Sequence, residues 1–227
     1  MTTMPSVEIL EEHSHRQLRV DFSEARKAYF HRRLVPVVIS EFSTLMFHYP
    51  IVLVKDGQTG KFSCSVLLGI SEESTLLSRG RVDDGALPLS IQRLPLVAVE
   101  SSPESDPVIG LDIDSPGVGK GEPIFGENAT ALNDAMAALG EIYRGREETE
   151  DYIQNVLAMD LVSKLQAEVT YKDGRKVTME GLYSVDINRV ARIDDDNKRS
   201  QFMKISRYLY AQNFSLYNMT RIAELAG

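Results

Sequence analysis

The stretch Leu111–Phe125 (LDIDSPGVGKGEPIF) is the point at which the periodicity of the chain changes from that of strands to that of helices. Apolar residues alternate there with Asp112 and Asp114, which predicts a short strand with one polar face. The step Ser115-Pro116-Gly117 should end this strand, because proline lacks the N–H that a β-ladder needs and glycine accepts positive φ. A chain arranged around this junction is expected to join a sheet to helices.

The sheet is predicted from two β-hairpins, in each of which a Lys-Asp-Gly tripeptide separates two strand-like runs. The paired runs are Tyr49–Val54 with Phe62–Ile70, and Leu165–Tyr171 with Lys176–Val185. The Asp-Gly step supplies the positive φ that tight turns require. Further strand is predicted in Leu87–Val99, where prolines limit it to an edge or a bend.

A helical pattern begins near Asn128. Apolar residues then step by four, three and four, as in an amphipathic helix, at Leu132, Met136, Leu139 and Tyr143. The charged run Arg144–Asp151, which contains Gly145, interrupts this stripe before it resumes. The sequence therefore predicts either one long helix or two helices with a joint near Gly145. In an unbroken helix Arg146 and Glu150 would fall on the buried phase, which favours a segment that projects from the body.

A chain of 227 residues can bury roughly 70% of its unfolded surface, enough for one core without metals or disulfides. We therefore expect a single domain over residues 1–227. The predicted fold class is α+β, with a mostly antiparallel sheet from the two hairpin regions packed with the long central helix, or helix pair, and with C-terminal helices. The C-terminal helices are predicted from apolar stripes that include Ile205, Leu209, Met219 and Ile222.

The composition and the N-terminal sequence, in which a targeting signal would lie, predict a cytoplasmic protein. Lys and Arg total 25 against 33 Asp and Glu, a net charge of −8, which argues against nucleic acid or an anionic membrane as the main partner. The N-terminus has no basic start followed by an apolar run, and no apolar run approaches the roughly 20 residues that span a bilayer. Cys64 has no second cysteine to pair with, and its place in a strand pattern predicts a small buried side chain.

The three glycines of Gly117-x-Gly119-x-Gly121 invite comparison with phosphate-binding loops, but their spacing differs from both common patterns. A P-loop requires Gly, four residues and then Gly-Lys-Ser/Thr, and here Gly119-Lys120 is followed by Gly121. The Rossmann pattern requires a third glycine at the helix entry, which is also missing. No nucleotide or other cofactor is therefore predicted, and a flexible or tightly turned loop is the expected structure.

The acids Asp112, Asp114 and Glu122 are the candidates for chemistry in this stretch. They could gather around a hard cation such as calcium or magnesium. No histidine or nucleophile is linked to them by spacing, so neither a catalytic set nor a metal site is assigned. The candidate binding residues are these three acids together with Arg93, Ser115, Gly119 and Gly121.

Seven stretches, taken in this order, resemble the SapC family of Gram-negative bacteria. They are YPIVLV at Tyr49–Val54, LLGI at Leu67–Ile70, QRLPL at Gln92–Leu96, LDIDSP at Leu111–Pro116, GEPIF at Gly121–Phe125, GLYSVD at Gly181–Asp186 and SLYNM at Ser215–Met219. The resemblance covers almost the whole chain and implies a soluble, one-domain α+β protein. The family is named after a gene beside a surface-layer export system, and it carries no established catalytic residues to transfer.

The chain departs from the family pattern at two places. After its LLG stretch the family has an Asn-Leu-Phe step and a Trp, whereas this chain has Ser74–Leu77 and no Trp. The family's Arg-Tyr-Pro-Phe is Arg93–Leu96 here. If those aromatic residues line a pocket in the family, the pocket of this member should be altered.

Two functions follow as hypotheses. The first is a non-catalytic binding or accessory protein of an envelope-related, polypeptide-modifying or export system. It would engage a protein or peptide through charged helical surfaces at Glu24–Arg33 and Arg144–Asp151. Homodimerisation through an edge strand of the sheet is a further possibility that can coexist with this role. The second is a metal-assisted hydrolase or transferase that uses Asp112, Asp114 and Glu122.

Overall fold

The computed structural model describes residues 6–81, 86–100, 106–126, 129–171, 173–193 and 195–226. Asn128 and Lys172, at which a helix start and a turn are predicted, lie outside them. The helices are α1 (Glu12–His15), α2 (Phe22–Lys27), α3 (Phe42–Leu45), α4 (Leu89–Gln92), α5 (Thr130–Ala158), α6 (Asp196–Ser215) and α7 (Met219–Ala223). The strands are β1 (Val7–Ile9), β2 (Arg19–Val20), β3 (Leu34–Pro36), β4 (Ile51–Lys55), β5 (Phe62–Leu67), β6 (Gly69–Ser71), β7 (Ser74–Thr75), β8 (Leu96–Val99), β9 (Val108–Asp112), β10 (Glu122–Pro123), β11 (Val162–Lys164), β12 (Ala167–Thr170), β13 (Lys176–Met179) and β14 (Leu182–Val185).

The chain forms an α+β structure whose sheets are antiparallel, as predicted. It divides into two compact units: unit 1 contains residues 1–30 and 89–143, and unit 2 contains residues 31–88 and 144–227. A single domain over the whole chain stays a prediction.

Unit 1 is built on a three-stranded sheet with β9 in the middle, between β1 and β8. Leu111 of β9 pairs with Leu96 of β8 and is fully buried. One apolar cluster combines this sheet, the β2–α2 region and the first part of α5, through Val20, Phe22, Leu96, Leu111, Ile124, Leu132, Ala135 and Leu139. The run 87–99 differs from its prediction, since Leu89–Gln92 is the short helix α4 and strand begins only at Leu96.

Unit 2 is built on a five-stranded antiparallel sheet in the order β11, β14, β4, β5, β3. The first predicted hairpin forms β4 and β5, and the second forms β12 with β13 and continues into β14. Helices α3 and α6 and the second part of α5 provide the apolar cover. Phe42 and Tyr152 are both buried and meet edge to face, with ring centroids 5.8 Å apart.

Helix α5 is continuous over 29 residues, which decides between the two helical alternatives. Its buried phase is not the predicted one, because Gly145 and Thr149 are buried whereas Arg146 and Glu150 are exposed. A Cβ at Gly145 would lie 3.0 Å from the Cβ of Val38, so glycine allows a close approach there. Within the predicted stripe, Met136 and Tyr143 are exposed by 38% and 42%. The charged residues therefore need no projection of the helix away from unit 2.

Candidate functional site

The glycine-rich loop predicted as the centre of the molecule folds back onto the start of α2. Asp21 N donates to the Gly117 carbonyl at 2.8 Å, and Gly119 N donates to the Arg19 carbonyl at 2.9 Å. Val118 forms an isolated antiparallel bridge with Val20. Neighbouring backbone thus satisfies the Gly117 carbonyl and the Gly119 amide, while the Gly121 carbonyl accepts from Arg19 Nε at 2.7 Å.

Each glycine in this loop has a steric or conformational cause. A Cβ on Gly117 would lie 2.1 Å from the Asp21 carbonyl oxygen, and a Cβ on Gly121 would lie 2.7 Å from the Val20 carbonyl oxygen. Gly119 has φ of +82°, a left-handed conformation that favours glycine. The triple-glycine pattern is therefore explained by close backbone packing and turning.

The three candidate acids have separate partners. Strand β9 ends at Asp112, whose Oδ1 accepts from the Asp114 amide at 3.2 Å, and Asp114 Oδ2 accepts from the Ser6 amide at 3.1 Å. Glu122 is exposed and lies 3.7 Å from the Arg19 guanidinium. Among the residues that the structure describes, no group of three or more His, Cys, Asp or Glu side chains is arranged to hold a metal ion. The geometry therefore lends no support to a metal-assisted hydrolase or transferase at these acids.

Arg93 and Ser115 lie near the same turn and are partly or fully covered. The Arg93 guanidinium donates to the Leu96 carbonyl, and burial lowers its pKa while the charges of Tyr29 and Asp112 oppose that shift. Ser115 is buried, and its amide donates to the Asp112 carbonyl at 3.1 Å. These contacts stabilise the turn, and ligand binding by this set of residues stays a prediction.

Unit 2 contains a groove that sequence reasoning did not anticipate, which we call the α5 groove. It consists of two adjoining cavities of about 420 Å³ each, and both are lined by Phe62 of β5 and Leu157 of α5. The first cavity follows β5 past the end of β3, from Thr59 to Cys64, against the α5 residues Ile153 and Leu157. The second continues to Tyr183 of β14 and Val162 of β11.

The centre of the α5 groove is aromatic. The Phe62 and Tyr183 rings meet edge to face with centroids 5.1 Å apart, and Lys55 Nζ lies 5.6 Å from the Phe62 centroid. Leu157 is exposed by 36%, so an apolar side chain beside this pair reaches solvent. Aromatic side chains that are partly exposed in a cleft are typical of recognition surfaces.

Charged residues of both signs surround this apolar centre. Arg146 and Glu150 line the first cavity, and Asp160 and Arg189 line the second. Arg189 Nη1 lies 3.1 Å from Asp160 Oδ2, so that pair is already neutralised within the chain. An apolar centre with a rim of mixed charge is the arrangement found where proteins bind other polypeptides.

A third cavity, of about 620 Å³, extends the α5 groove along unit 2. It shares Lys164 and Tyr183 with the second cavity and lies where β11 and β14 give way to the hairpin of β12 and β13. Glu168 on its lining is paired with Lys176 at 2.8 Å. The three cavities together form one continuous depression on unit 2, and the hairpin of β12 and β13 lines one side of it.

Cys64 lies at the inner edge of the groove and is buried, as its strand pattern predicts. Burial raises the pKa of its thiol, so the thiolate that would be needed for nucleophilic chemistry is disfavoured. Burial also raises the pKa of the neighbouring Tyr152, with Cys64 adding to the shift. The Cys64 thiol and the Tyr152 phenol therefore both stay protonated at neutral pH.

A second exposed apolar surface lies on α6 and the turn that follows it. Met203, Tyr210, Phe214 and Tyr217 are spaced by seven, four and three residues and are exposed by 71%, 39%, 54% and 79%. The rings of Tyr210 and Phe214 stack with centroids 6.5 Å apart. The predicted apolar stripe of α6 lies on the other face of the helix, where Ile205 and Leu209 are buried.

No helix in the described parts of the chain is both long enough and apolar enough to cross a membrane.

The family model SapC matches residues 10–222 of the 227-residue chain, a range that includes most of both units and all residues that line the α5 groove. No curated protein matches. No solved structure matches either.

Proposed function

The chain belongs to the SapC family, and we propose that it is a non-catalytic binding or accessory protein that engages another polypeptide through the α5 groove. The system that it serves is, in this proposal, an envelope-related or polypeptide-modifying and export system of a bacterium. The observation that carries the proposal is the partly exposed Phe62–Tyr183 pair beside Leu157, inside a rim of mixed charge. Such a centre favours polypeptide binding because burying it on association removes apolar and aromatic surface from water.

The proposal is tested by affinity purification of the tagged chain from its native host after mild crosslinking. Leu157→Asp places a charge in the α5 groove, whereas Met136→Asp places the same charge on the same helix at a residue of similar exposure, 38% against 36%, that does not line the groove. We expect the wild type and Met136→Asp to retain a stable polypeptide partner and Leu157→Asp to lose most of it. Recovery of a partner-free monomer by all three proteins, over several growth conditions, would contradict the proposal.

A further inference from the structure

We propose that the α5 groove holds its partner as an extended strand, added to β5 along the part of its edge that β3 leaves uncovered. This inference rests on the proposed function and names how the polypeptide is held. Its basis is the way in which the two edges of β5 are paired.

On one side β5 is paired along its whole length with β4, from Phe62 opposite Lys55 to Val66 opposite Ile51. On the other side β3 pairs only with Ser65, Val66 and Leu67. Phe62 and Ser63, the first two residues of β5, therefore have a strand neighbour on one side and the first cavity of the α5 groove on the other.

The hydrogen bonds on the β4 side involve the odd-numbered residues of β5 and its extensions. Asp56 N donates to the Lys61 carbonyl at 2.8 Å, and Leu67 N donates to the Pro50 carbonyl at 2.9 Å. In an antiparallel ladder both backbone groups of a residue point to the same side, and successive residues alternate between sides.

The even-numbered residues point to the other side. Val37 N donates to the Cys64 carbonyl at 3.0 Å, and Leu68 N donates to the Arg33 carbonyl at 2.7 Å. By the same alternation the N–H and C=O of Phe62 point to this side, beyond the last bond from Val37. Within the described residues no backbone group pairs with them, and unpaired groups on a strand edge are a template for another strand.

The α5 groove supplies side-chain contacts at the same place. Ile153 and Leu157 of α5 line the cavity beside this edge. An added strand would turn alternate side chains toward α5, since side chains of a strand alternate between its faces. Arg146 and Glu150 both line the cavity, so neither sign of charge is preferred. The partner is therefore an extended segment with apolar residues at every second position, recognised by its main chain and by one face.

The probe for this inference is a displayed library of random linear heptapeptides, selected on the full chain. Selected peptides are synthesised with a fluorescent label, and their binding is measured by fluorescence anisotropy to the wild type, Leu157→Asp and Met136→Asp. Each peptide is then remade with one backbone amide N-methylated at a time, which removes a single donor. Strand addition predicts a position-specific pattern, in which methylation of the one amide that faces Phe62 weakens binding about fivefold or more and methylation of its neighbours has little effect.

The outcomes separate the mode of binding from the proposed function. Peptides that bind the wild type and Met136→Asp, lose binding to Leu157→Asp and are sensitive to N-methylation at a single amide support strand addition. A flat N-methyl profile with the same dependence on Leu157 overturns strand addition and leaves the proposed function standing. The absence of any selected peptide, or binding that is indifferent to Leu157→Asp, overturns both. A homodimer in sedimentation that Leu157→Asp dissociates would make a second copy of the chain the occupant and would also overturn the inference.

Discussion

The glycine-rich loop of unit 1 and the α5 groove of unit 2 differ in how they use their polar backbone. The loop carries the conspicuous residues, three glycines and three acids, and its described backbone is paired with nearby backbone such as that of Arg19 and Asp21. The groove has no motif, yet on the edge of β5 away from β4 no described strand pairs with the backbone groups of Phe62, and the Leu157 side chain reaches the surface. The glycines of the loop meet a steric need of the fold, whereas the unpaired groups lie where the sequence has no conspicuous motif.

The largest effect that separates the two regions is expected from Gly117→Ala. Because the added Cβ would lie 2.1 Å from the Asp21 carbonyl oxygen, we expect the free energy of unfolding to fall by about 2–4 kcal/mol. Gly126→Ala is the control, since a Cβ there meets no atom within 4 Å and should change stability by about 0.5 kcal/mol or less. Urea unfolding measures both. Equal small losses would show that the loop is not held by close backbone packing.

A second effect should appear at alkaline pH and should arise from unit 2. Burial raises the pKa values of Cys64 and Tyr152 in the folded state. The unfolded chain releases these protons at its ordinary pKa values while the folded chain keeps them. The stabilisation is therefore fully present below about pH 8.5 for Cys64 and below about pH 10 for Tyr152, and above these values each is lost by about 1.4 kcal/mol per pH unit.

Cys64→Ala tests this pH dependence by removing one of the two groups. The slope of unfolding free energy between about pH 9 and pH 10.5, from urea titrations at each pH, should become shallower by about 1.4 kcal/mol per pH unit. Asp112→Asn in the loop removes neither a thiol nor a phenol and should leave the wild-type slope. An unchanged slope in Cys64→Ala would mean that the thiol is accessible to solvent.

The smallest effect is expected for the loop acids. Asp112→Ala removes the acceptor of the Asp114 amide and should cost about 0.5–1.5 kcal/mol, while Asp112→Asn keeps an oxygen at that position and should cost less. Neither change should alter partner recovery in the crosslinking experiment. If Asp112→Asn removed the partner without lowering the melting temperature, the loop would be the functional region and the comparison would be reversed.

The fold class and several elements were predictable because they depend on local chemistry. The apolar runs around the two Lys-Asp-Gly segments predicted both hairpins. Gly174 has the predicted positive φ, whereas in the first turn the positive φ lies at Gly60 and not at Gly57. Asp21 caps α2 by accepting from the Glu24 amide at 2.9 Å. The phase of α5 was not predictable from apolar spacing, because Gly145 and Thr149 are buried by contacts with a distant segment. Thr149 Oγ1 accepts from the Ile39 amide at 3.0 Å, a contact between residues 110 positions apart.

Sequence reasoning did not anticipate the α5 groove. It predicted binding by the residues around Asp112 and Asp114, which stays a prediction. The groove depends on where β3 ends relative to β5, and the residues Phe62 and Ser63 do not determine the length of another strand. The apolar run Leu34–Ile39 is compatible with a strand that continues beyond Pro36, where β3 ends. The exposed stripe on α6 was missed for a related reason, because apolar periodicity is the same for a face that is covered and for one that is not.

The sequence by itself determined the antiparallel hairpins, the helix starts and the place of the glycine-rich turn, since turn chemistry, capping and alternation act over a few neighbouring residues. The tertiary structure alone decided which face of α5 is buried, which backbone groups of β5 remain unpaired and which apolar side chains reach the surface. Those properties depend on which helices and strands pack against each other, and that packing is determined by residues far apart in the chain.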